Sequence, residues 1–164
     1  MKGEHMKRIL CVLLILCLLP ACAFSVSNLE TMVIQHNLYN LLTGAAEITG
    51  APTKLGTTKN GIVYQYIVNG VKVGFFVDDD IVKGVYCKAT EEYCGELLSQ
   101  SASILYNICG TETSSYWYPS LLNQFLIARA GTNYKTEERP YIRNVCMFTM
   151  TKEDGVYTFL AAIL

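Results

Sequence analysis

The chain has 164 residues, 51% of them hydrophobic, with 13 Lys or Arg against 14 Asp or Glu and a formal net charge of −1. That length and apolar content suit one domain with a real core. The charges form no basic stripe of the kind a phosphate backbone attracts, so nucleic acid is excluded as a partner.

The first residues carry Lys2, Lys7 and Arg8, then an apolar run from Ile9 to Leu19, then Pro20 and small residues. This is the pattern of a secretory leader. The run is shorter than the ~20 residues a helix needs to cross a bilayer. Ala21-Cys22-Ala23 offers a small-x-small cleavage site, so residues 1–23 read as a cleaved signal peptide and 24–164 as a single extracytoplasmic domain. A rival processing site is open, because Leu19-Pro20-Ala21-Cys22 resembles a bacterial lipobox. On that reading Cys22 is lipidated and the protein is anchored to the envelope membrane, although Pro20 departs from the usual pattern. Cleavage after Ala23 removes three positive charges and one negative, and moves the formal charge from −1 to −3.

The mature chain opens on Ser27-Asn28-Leu29-Glu30, read as a capping box before a helix that Gly44 ends. Ile34, Leu38, Leu41 and Leu42 form the expected buried stripe. Leu29, Met32 and Val33 make a second patch, and His36 beside them reads as a partly exposed surface histidine. No Cys, Asp or Glu stands at metal-ligand spacing around it. Residues 45–60 read as a connector rich in Gly, Thr and Pro.

Gly61 to Ala89 reads as three antiparallel strands. Asn69-Gly70 is the preferred two-residue hairpin loop. It pairs Val68 with Val71, and carrying the register outward sets Tyr66 against Val73, Tyr64 against Phe75 and Ile62 against Val77. The other face then pairs Ile67 with Lys72, Gln65 with Gly74 and Val63 with Phe76, too apolar for an idle surface and too polar for a core. Asp78-Asp79-Asp80 lacks the alternate spacing, the Gly and the closing Glu of a calcium loop, so it reads as a solvated turn. Whether two or three residues form that loop is open, and Cys87 points inward only with three.

Thr90 is expected to cap the next helix, with Glu91 and Glu92 in its first turn. Cys94, Leu97, Leu98, Ser101, Ile104, Leu105, Ile108 and Cys109 share one arc of it. Ser101 lacks a nucleophile elbow and reads as bonding its own helix backbone. A further helix is expected from Pro119 to Ala130, with Leu122, Phe125, Leu126 and Arg129 on one side. Just before it, Tyr116-Trp117-Tyr118 offers a stacking platform for a sugar or peptide, against the alternative of packing on the sheet. Residues 132–140 read as a mixed-charge loop. Two last strands meet at Asp154-Gly155, which sets Met150 against Phe159, Phe148 against Ala161 and Cys146 against Ile163.

Cys87, Cys94, Cys109 and Cys146 are disulfide candidates that allow three pairings. Cys94 and Cys109 lie about 22 Å apart along one helix at ~1.5 Å per residue, beyond the ~7 Å reach of a disulfide. The favoured pairs are Cys87 with Cys94 and Cys109 with Cys146, crossed pairing being the alternative.

The expected fold is α+β, a single antiparallel sheet of about five strands with helices on one face, in the order α-βββ-α-α-ββ. The expected function is an exported, non-catalytic module for a protein, peptide or glycan ligand. Its candidate contacts are Tyr116, Trp117, Tyr118, Gln65 and Lys72. No cofactor or metal is expected, and no membrane partner unless Cys22 is lipidated. The alternatives are that lipoprotein and a small hydrolase built on His36.

Overall fold

The computed structural model describes residues 28–109, 114–131, 135–138 and 146–163. The leader, Cys22 and Ser27 lie outside the described residues. So do the side chains of Tyr116 and Cys146.

The elements are α1 (Leu29–Thr43), β1 (Thr53–Thr58), β2 (Gly61–Val68), β3 (Val71–Asp78), β4 (Ile81–Thr90), a 3-10 turn (Glu91–Tyr93), α2 (Cys94–Cys109), α3 (Ser114–Ala130), β5 (Lys135–Glu138), β6 (Cys146–Glu153) and β7 (Val156–Ile163). The strands form one antiparallel sheet in the order β1-β2-β3-β4-β7-β6-β5. The α+β class and the packing of helices on one face are as the sequence indicates. The sheet has seven strands rather than five. The two added strands lie at its edges, in stretches read as a connector and a loop. β1 is exposed along its length, so no apolar alternation marks it. No described helix is long and apolar enough to cross a membrane.

The hairpin registers follow the turn chemistry. β2 and β3 pair as expected from Val68↔Val71 out to Ile62↔Val77, and β6 and β7 from Met150↔Phe159 to Cys146↔Ile163. Between β3 and β4 the turn has two residues, Asp79 and Asp80, both at positive φ (49° and 61°), and Asp78 pairs with Ile81. Cys87 nevertheless faces inward, because Lys83 bulges out between the pairs Val77↔Val82 and Phe76↔Gly84. The extra residue restores the parity that a longer loop would have given. One backbone position accepts only glycine: Gly61 has φ 104°, and a Cβ there would stand 2.2 Å from the Val77 carbonyl oxygen.

The core lies between the inner sheet face and the helices. Val73, Phe75, Val85, Cys87, Phe148, Phe159 and Ala161 are fully buried there, against Leu97, Ile104 and Leu105 of α2 and Trp117, Leu121 and Phe125 of α3. Ser101 donates to the Leu97 carbonyl at 2.7 Å, the backbone role expected of it.

The helices differ from expectation in rotation and start. α1 buries Met32, His36 and Asn40 and exposes Ile34, Leu41 and Leu42, because α2 offers it polar partners that the apolar stripe could not use. Asn28, not Ser27, caps α1, its side chain accepting from the Thr31 amide at 2.8 Å. Thr90 stands at the head of the 3-10 turn without a side-chain cap bond. α3 begins at Ser114 and takes Pro119 into its interior. It buries Trp117, Leu121, Phe125 and Ala128, at i, i+4, i+8 and i+11, and leaves Leu122, Leu126 and Arg129 outside.

The expected disulfides are corrected. Cys87 and Cys94 are both free thiols in the core, so the bond between them is absent, and no disulfide occurs among the described residues. Cys87 sits against Ser101, and burial pushes its thiol pKa far up. The Sγ of Cys146, the expected partner of Cys109, falls outside the described residues.

Candidate functional site

The expected site residues separate onto opposite sides of the sheet. Gln65 and Lys72 lie on its open face, which no described helix covers. Trp117 and Tyr118 lie in the helical layer.

The registers build the open face as three rows running across β2, β3, β4, β7 and β6. One row is Ile67, Lys72, Lys88, Thr158 and Thr151; the next is Gln65, Gly74, Tyr86, Leu160 and Thr149; the third is Val63, Phe76, Gly84, Ala162 and Met147. Gly74 leaves room for the Tyr86 ring, since a Cβ there would fall 2.0 Å from it. Tyr86 reaches across two strands and donates its hydroxyl to Gln65 Oε1 at 2.8 Å. Its ring also meets Phe76, with centroids 5.8 Å apart. Burial, and to a lesser degree the neighbouring Cys87, raises the Tyr86 pKa. The centre of the face is thus a fixed aromatic plate held by a polar tie. Beside it Ile67 is 69% exposed, and Leu160 is exposed opposite Tyr86.

The first row carries the feature hardest to explain by folding alone. Lys72 and Lys88 are direct cross-strand partners, both exposed, and neither forms an ion pair among the described residues. Like charges directly opposite on neighbouring strands destabilise a sheet. The other face treats its cations differently. Lys152 and Arg129 both reach Glu91, at 3.4 and 3.1 Å, and Glu91 also accepts from the Tyr157 hydroxyl. The Lys152 ammonium stands 4.8 Å above the Tyr157 ring. The Tyr157 bond, then Lys152 and Arg129, hold the Glu91 carboxyl below the usual range. That cluster ties the 3-10 turn before α2 to the end of α3 and to β6 and β7, a structural clamp.

Trp117 is 1% exposed and packs in the core. Tyr118 is 44% exposed, stands edge-on to Trp117 at 5.8 Å, and lines a groove of about 300 Å³ where α1, α2 and α3 meet. Tyr39 and Glu96 line it too, and Tyr39 stacks on Tyr106 with centroids 4.3 Å apart.

His36 is fully buried rather than partly exposed. Its Nε2 lies 2.5 Å from Gln100 Oε1 and 3.1 Å from Asn40 Nδ2, while Nδ1 has no partner. Asn40 and Gln100 both donate to the Ala46 carbonyl, at 2.6 and 2.9 Å, and Ser103 donates to Asn40 Oδ1. This network joins α1, α2 and the segment after α1. Burial, partly offset by the Gln100 bond, lowers the His36 pKa to about 4, so the ring is neutral. Among the described residues His36 hydrogen-bonds to no Ser, Cys or carboxylate, and the residue reads as a structural lock. Among the described residues no group of three or more His, Cys, Asp or Glu is placed to hold a metal ion.

Lys88, Tyr86, Tyr39 and Glu96 were not singled out from the sequence. Lys88 and Tyr86 become neighbours of Lys72 and Gln65 only through the bulge at Lys83, which carries no composition signal of its own. Comparison with known families, curated proteins and solved structures finds no match, so no activity and no export or lipoprotein assignment reaches the chain from a relative.

Proposed function

We propose that the chain is an exported, non-catalytic binding domain that engages an acidic protein partner through the open face of its sheet. The observation that carries this reading is the unpaired Lys72–Lys88 couple, set across two strands beside Ile67 and the Tyr86–Leu160 plate. A partner bringing a carboxylate over the two ammonium groups and an apolar side chain onto the plate relieves a repulsion that the folded domain carries alone. Exposed apolar groups also occur on the helices, at Ile34, Leu41 and Leu126. Export rests on the leader pattern of residues 1–23.

The test places a photoreactive benzophenone side chain at position 67, and separately at position 126, in cells that make the protein. The reading expects one acidic protein to be trapped at position 67, absent at 126 and lost in Lys72→Glu/Lys88→Glu. Equal trapping by the charge-reversed double variant would refute it.

A further inference from the structure

The groove between the three helices lies on the other side of the sheet from the lysine couple and has a chemistry of its own. Tyr39 and Thr43 of α1, Ser99 and Ala102 of α2 and Tyr118 of α3 line it. Among the described residues Glu96 is the only charged one lining it. One Glu96 oxygen accepts from Gln100 Nε2 at 2.6 Å, which ties the carboxylate to the buried His36 network and fixes its position. No Lys, Arg or His among the described residues pairs with it.

The hydroxyls in the groove are largely committed. Ser99 donates to the Gly95 carbonyl at 3.2 Å and Thr43 to the Tyr39 carbonyl at 3.1 Å. A sugar, which needs several donors and acceptors, finds few there. Two phenol rings and one carboxylate with no cationic partner among the described residues instead match a positive charge carried on small apolar groups, because an aromatic ring attracts a cation through its quadrupole. Tyr39 adds a second sign of convergence: burial, then the nearby Tyr106 and Tyr118 oxygens, raise its pKa.

We propose that this groove is a second binding site, for an organic ammonium group, with Tyr39 and Tyr118 against the cation's alkyl shell and Glu96 as its counter-ion. The group is either a small quaternary amine or a lysine side chain of a peptide, and the assay distinguishes them. Full-length mature protein is titrated with choline, with its neutral carbon isostere 3,3-dimethylbutan-1-ol, and with N-acetyl-lysine methylamide, while the tyrosine ring resonances are followed by NMR.

Choline or the lysine derivative is expected to shift the Tyr39 and Tyr118 signals with a Kd on the order of millimolar. The neutral isostere should bind at least about tenfold more weakly, and Glu96→Gln and Tyr118→Ala should each weaken the cation by about three- to tenfold. Stronger binding of choline identifies a free quaternary amine, and stronger binding of the lysine derivative a peptide side chain. Ser99→Trp fills the groove and should abolish both, which keeps the test decisive if another variant fails to fold. Equal binding of choline and its isostere, an unchanged Kd in Glu96→Gln, or no shift up to about 100 mM would overturn the assignment. Lys72→Glu should leave this binding unchanged.

Discussion

The two faces of β3 hold alternate residues of one strand in opposite regimes. Val73, Phe75 and Val77 point into the helical layer and belong to its hydrophobic core. Lys72, Gly74 and Phe76 point the other way, into a face where an aromatic plate is pinned by a Tyr86–Gln65 hydrogen bond and two ammonium groups oppose each other uncompensated. The inner face is arranged as folding alone would arrange it. The outer face keeps a repulsion that folding would remove, and the proposed binding role rests on that difference.

The largest expected effect tests the comparison at adjacent residues. Phe75→Ala should cost about 3–5 kcal/mol, the range for a fully buried aromatic, whereas Phe76→Ala should cost roughly 1–2 kcal/mol because the ring is only partly buried. Urea denaturation of the two variants checks this, and equal losses would mean that the outer face is covered in solution.

Acid probes the inner layer next. The unfolded histidine titrates near its ordinary 6.5 and the folded His36 near 4, so the unfolded state takes up the proton first as pH falls. The contribution of neutral His36 is therefore complete above pH 6.5 and is lost as pH drops toward 4. The loss amounts to about 3 kcal/mol at ~1.4 kcal/mol per unit. Denaturation midpoints at pH 7.5 and 4.5 should differ, and His36→Gln should flatten most of that slope.

A smaller effect is expected at Gly74, where a methyl group meets the Tyr86 ring. Gly74→Ala should displace the ring and break its bond to Gln65 at a cost of about 1 kcal/mol. The Tyr86 ring signals should move while those of Tyr157 stay in place. Unmoved Tyr86 signals would show that the plate is not fixed by Gly74.

The sequence was most legible where a turn and a two-residue period agree. Asn69-Gly70 and Asp154-Gly155 set both hairpins, and with them the face on which Gln65 and Lys72 stand. It was least legible where a choice depends on what packs across the gap. α1 carries a better apolar stripe on the side it exposes, and only the amide of Gln100 and the hydroxyl of Ser103, sixty residues away, explain why His36 and Asn40 turn inward. β1 and β5 pair at the two edges of the sheet, and edge strands need no apolar pattern. The Lys72–Lys88 couple needed one more residue of bookkeeping than the turn supplies, namely the bulge at Lys83.

The most direct measurement takes Lys72→Glu and reads stability and partner trapping together. The substitution turns a repulsive cross-strand pair into an attractive one, so the fold should gain about 0.5–1 kcal/mol while trapping at position 67 is lost. A variant that gains stability and still traps the same partner in the same yield would contradict the claim that this face binds through its lysines.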